Sequence, residues 1–82
     1  MILNITFNGH SADYQLGLDH DASDTEIRRI AGEVLRSGGI RGMHVPHLAG
    51  DAFRNYVVDR LRTSGGEPRI YLRPKVPFGA GG

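Results

Sequence analysis

The chain has 82 residues, with ten Lys+Arg, nine Asp+Glu, four His and no Cys, a length that fits one small domain and excludes a second. A domain of this size buries only about 60–65% of the surface its unfolded chain exposes, which leaves one shallow core and disfavours cofactor-enclosing enzymes. The net charge is only +1, and the missing cysteine removes disulfides, thiolate nucleophiles and Cys-based metal sites.

Residues 1–8 alternate Leu3, Ile5 and Phe7 with Asn4, Thr6 and Asn8, the period of a strand with one buried face. Asn8-Gly9 tolerates the positive φ of a tight turn, and His10 to Ala12 extend the connection. The partner strand is expected over 13–19, where Tyr14, Leu16 and Leu18 alternate with polar residues. Ser23-Asp24-Thr25-Glu26 is an S-x-x-E capping box and predicts a helix over 24–37. Within it Ile27, Ile30, Ala31, Val34 and Leu35 share one face, and Ser37-Gly38-Gly39 ends it.

Ile40 to Val45 lacks a clean apolar side and is compatible with a short edge strand. From Val45 the apolar positions 45, 48, 49, 52, 53, 56, 57 and 61 predict a second helix, starting at Pro46 or, capped by Asp51, at Ala52. Arg69 to Arg73 form a third strand, with Ile70 and Leu72 on one side and Arg69, Tyr71 and Arg73 on the other. Pro74 and Pro77 then interrupt pairing. The expected organisation is a single domain over 1–73 and an extended Pro/Gly-rich tail over 74–82. The expected core is Leu3, Ile5, Phe7, Leu16, Leu18, Ile27, Ile30, Val34, Phe53, Val57, Leu61, Ile70 and Leu72.

This order describes a two-layer α+β domain in which a β-hairpin is covered by the first helix. Right-handed crossover places strand 69–73 beside strand 1–8 and parallel to it. A hairpin, a capped helix, a final strand parallel to the first and Gly81-Gly82 at the end together resemble the ubiquitin-like β-grasp family and its sulfur-carrier relatives. In that family the terminal glycine carboxylate is activated by adenylation and becomes an isopeptide, thioester or thiocarboxylate. The resemblance therefore implies Gly81 and Gly82 as an attachment pair and an adenylating enzyme as partner. Two features depart from it: Pro74 and Pro77 stiffen the approach, and the helix after residue 46 is longer than the family usually carries. The plain alternative for Gly79 to Gly82 is a frayed end.

Charge is unevenly spread along the chain. Residues 1–33 carry six carboxylates against Arg28 and Arg29, whereas 34–82 carry eight basic groups against Asp51, Asp59 and Glu67. Arg54, Arg60 and Arg62 on the second predicted helix are followed by Arg69, Arg73 and Lys75, and Tyr71 shares a strand face with two of these, as on aromatic-plus-basic nucleic-acid surfaces. The pI of about 8.3 lies below the value above about 9 usual for dedicated nucleic-acid domains. Arg69, Tyr71, Arg73, Arg54 and Lys75 are the candidate interaction surface.

Other constellations have plainer readings. His44 and His47 have i, i+3 spacing but no placed third ligand, so no metal is expected. Asp19-His20-Asp21 reads as a polar turn before a capped helix. No phosphate-loop motif is present, and with Ser and His assigned to turns and loops no nucleophile–base pair can be built. The expected function is thus a small non-enzymatic protein-interaction module without a cofactor, which the resemblance specifies as a ubiquitin-like modifier or carrier using Gly81-Gly82. Its alternatives are an accessory protein of a GC-rich bacterium or phage that self-associates or binds a host protein, and nucleic-acid binding through the Arg-rich face. Short apolar runs and the absence of a basic-then-apolar leader predict no membrane partner and a cytoplasmic location.

Overall fold

In the computed structural model, residues 1–17 and 22–75 are described. They form a small α+β domain: β1 (Ile2–Phe7), β2 (His10–Gln15), α1 (Asp24–Ser37), β3 (Tyr56–Arg62) and β4 (Pro68–Pro74). The four strands make one mixed sheet in the order β2-β1-β4-β3. β1 and β4 are parallel in the centre, as the crossover rule predicts, and the two outer strands are antiparallel to their neighbours.

The hairpin closes more tightly than the sequence suggests. Asn8 and Gly9 both take positive φ, 53° and 79°, the signature of a two-residue turn whose twist matches the flanking strands. Phe7 therefore pairs directly with His10, so β2 begins at His10 and not at Asp13. His10 and Ser11, read from sequence as connection, are strand residues, and Ser11 Oγ bonds Thr6 Oγ1 at 2.8 Å. Leu16 follows the strand and is buried, while Leu18 and Asp19-His20-Asp21 lie outside the described residues.

α1 forms as its local signals dictate. Ser23 caps it by accepting from the Glu26 amide at 3.1 Å, and Gly38 ends it at φ 78° with its amide on Val34. Its buried side, including Ile27, Ala31, Val34 and Leu35, packs on Leu3, Ile5, Ile70 and Leu72 of the central strands. Ile30 and Phe7 are only partly buried. Ile40, Met43 and Phe53 complete the core from the segment after the helix.

That segment corrects two expectations. Residues 40–45 form turns and no strand, held where Val45 donates to Leu35 at 2.8 Å. The predicted second helix does not form: residues 46–55 make successive i→i+3 turns, and 56–62 are β3. Pro46 and Gly50 weaken a helix here, and Tyr56-Val57-Val58 favours a strand. β4 also needs a partner on the side away from β1, and β3 supplies it over seven residue pairs. Consequently Val57 and Leu61 leave the predicted core; Leu61 is 54% exposed. Arg60, on the helix side of β3, binds Asp24 at 2.6 Å and the Ala22 carbonyl, tying β3 to the start of α1.

Candidate functional site: the open face of the sheet

The period of two that buries one side of each strand puts the remaining residues on the other. α1 and the 40–55 segment cover the first side, and among the described residues nothing covers the second. Register then assembles that open face. Gln15, Ile2, Arg69 and Leu61 lie in one row across the four strands; Asp13, Asn4, Tyr71 and Asp59 lie in the next; Arg73 and Val57 are paired beyond it.

The charges on this face are matched. Arg69 reaches across β1 to Asp13 at 3.0 Å, and Asn4 donates to the same Asp13 oxygen at 2.8 Å. Arg73 pairs with Asp59 on β3. The Asn4 amide holds the Asp13 carboxyl below the usual carboxylate range; partial burial opposes this, and Arg69 adds to it by hydrogen bond and charge. Arg69 also lies 5.5 Å from the centre of the Tyr71 ring, within cation–π range. Its side chain is 22% exposed, and its Nε has no acceptor among the described residues.

Arg69, Tyr71 and Arg73 are thus brought together as the strand period predicts. Arg54 and Lys75 are not part of that cluster: both line a hollow beside the start of β3, together with Asp24, Arg28 and Tyr56. The grouping of Arg54 rested on a helix that does not form, and that of Lys75 on its nearness in sequence to strand 69–73. Gly81 and Gly82 lie outside the described residues. The chain matches no family model, no curated protein and no solved structure.

Sequence reasoning missed Asp13, Asp59, Ile2, Val57 and Leu61 as members of this surface. The signal for three of them was present, since Val57, Asp59 and Leu61 alternate with Tyr56, Val58 and Arg60. His44 bonds the Arg36 carbonyl through Nε2 at 3.1 Å, and no group of three His, Asp or Glu suited to a metal occurs among the described residues. No helix among them is long and apolar enough to cross a membrane.

Chemically, the open face offers a ring and three aliphatic side chains among two ion pairs. It has apolar area that a partner can dry, and its four charged side chains are already paired in the absence of one, although Arg69 Nε is left without an acceptor among the described residues. Toward a polyanion, the charge of Arg69 and Arg73 is already offset by Asp13 and Asp59.

Proposed function

We propose that this chain is a non-enzymatic protein-interaction module that docks a folded protein on the open face of its sheet. The observation that carries the reading is the charge-balanced cluster Asp13–Arg69–Tyr71 and Arg73–Asp59, flanked by Ile2, Val57 and the exposed Leu61. Interface centres favour Tyr and Arg over Lys and Glu, and a face that is neutral in sum suits a partner of mixed charge with an apolar centre. The same balance weighs against nucleic acid, whose affinity comes from unneutralised Lys and Arg. A titration with single-stranded and duplex DNA at physiological salt is expected to give no binding; micromolar or tighter binding would favour the nucleic-acid reading instead.

The strand order β2-β1-β4-β3, with β1 and β4 parallel, is compatible with a β-grasp-like layout and supports a finer reading as a modifier or carrier. In that reading Gly81 and Gly82 form the attachment pair, and the docked protein is an adenylating enzyme. Mass spectrometry of the protein recovered from its own host tests it, with Gly82 joined to lysine or converted to a thioacid as the expected product. A chain recovered only unmodified, with unchanged native activity after Gly82 deletion, would remove the modifier reading and leave the docking face as the functional element.

A further inference from the structure

A second feature lies on the covered side of the sheet, away from the docking face. Between α1 and the turns of 46–55 is a cleft of about 310 Å³, walled by Gly32, Ala49, Gly50 and Phe53 and lined by four arginines, Arg28, Arg29, Arg36 and Arg54. This volume is at the lower end of small-ligand sites. Arg29 is paired with Glu33 at 3.1 Å. The other three have no carboxylate partner among the described residues, and Asp51 is the one acid in the lining.

Two of the three guanidinium groups are held in place by uncharged partners. Arg28 donates through Nε and one terminal nitrogen to the Tyr56 carbonyl at 3.3 and 3.0 Å. Arg36 donates to the Leu48 carbonyl at 3.3 Å. A carbonyl orients a guanidinium without neutralising it, so both keep full charge and unspent N–H groups. Gly32 supplies an independent observation. It is a buried glycine inside a helix, where glycine is unfavourable by about 1 kcal/mol relative to alanine, and a Cβ there would stand 3.2 Å from a terminal nitrogen of Arg36. The Arg36 guanidinium lies close against this glycine, and a Cβ there would push it back by a few tenths of an ångström.

We propose that this cleft binds a phosphate monoester group. Two carbonyl-held guanidinium forks from α1, with the unpaired Arg54 guanidinium from the 46–55 turns beside them, suit a tetrahedral dianion with several oxygens, whereas a planar carboxylate is satisfied by one fork. The small walls leave room for the atoms that carry the phosphate. Arg28 and Arg54 also line the neighbouring hollow with Lys75, so positive charge continues toward the end of β4.

The test is an amide chemical-shift titration of the full chain at constant ionic strength, with inorganic phosphate, a phosphoserine peptide and the same peptide carrying glutamate. Saturable shifts confined to residues 28–36 and 49–54, for phosphate or phosphopeptide but not for the glutamate peptide, are expected. Tighter binding of the phosphopeptide than of phosphate identifies a protein-borne ligand, and the reverse a free one. Arg54→Gln should weaken binding at least about tenfold, the loss expected for one charge-assisted contact. That side chain makes no hydrogen bond or ion pair among the described residues, so the fold should be kept. Gly32→Ala should weaken binding by displacing Arg36 while the helix persists. Arg41→Gln, the same charge change in an exposed turn outside the cleft, should leave affinity unchanged. Equal binding of the glutamate peptide, equal losses in Arg41→Gln and Arg54→Gln, or the absence of saturable shifts at the cleft would overturn the proposal.

Discussion

Asp13 shows how one side chain ties distant parts of this chain together. It accepts from Asn4 on the adjacent strand and from Arg69, 56 residues away, and these bonds lower its pKa. A carboxyl with a depressed folded-state pKa stabilises the fold above the ordinary aspartate value, and that contribution is lost as pH falls through the folded value. Asp13→Asn is therefore expected to lower stability at pH 7 slightly and to flatten its decline below about pH 4. Urea unfolding at pH 7, 4 and 3 measures both, and an unchanged acid slope would remove Asp13 from the account. In the core, Ile27 is fully buried, so Ile27→Ala should cost about 2–5 kcal/mol in the same assay. A loss below about 0.5 kcal/mol would mean that the helix packs on another face.

At the scale of elements, β3 is the point on which sequence and structure part. Its two sides differ in burial: Val58 packs against the core, whereas Leu61 is 54% exposed on the open face. Val58→Ala is expected to destabilise by about 1 kcal/mol or more and Leu61→Ala by no more than about 0.5 kcal/mol. A helix over 52–62 would bury Leu61 and reverse that order, so thermal melts of the two variants distinguish the alternatives. The contrast with α1 explains what the sequence could reveal. Ser23, the spacing from Ile27 to Leu35 and Gly38 are local signals, and each acts within a turn of where it is read. The apolar positions from Val45 to Leu61 fit a helical period as well, but their fate depends on β4, which leaves its second side for a partner only after pairing with β1. The candidate site follows the same division. Arg69, Tyr71 and Arg73 were legible because one strand's alternation sets their side. Asp13 and Asp59 were not, because their places depend on the register of two other strands, and the cleft around Arg36 depends on where the turns of 46–55 fold back.

For the whole molecule, the uneven charge along the chain is rearranged by folding. Acidic residues of 1–33 meet the basic remainder in Asp13–Arg69 and Asp24–Arg60, and with Arg73–Asp59 the open sheet face is balanced while Arg28, Arg36 and Arg54 line one cleft on the other side. For the proposed docking of a protein on the open face, Tyr71, at the middle of that face, is the residue to probe. The direct measurement is photo-crosslinking in the native host with a photoreactive phenylalanine analogue at position 71, compared with the same analogue at position 33, on the exposed side of α1. Position 71 should give one adduct of defined mass that is lost when Leu61→Asp is added to the folded protein, and position 33 should not give that adduct. The same adduct from position 33 but not 71, or an adduct from 71 that survives Leu61→Asp, would contradict docking on the open face.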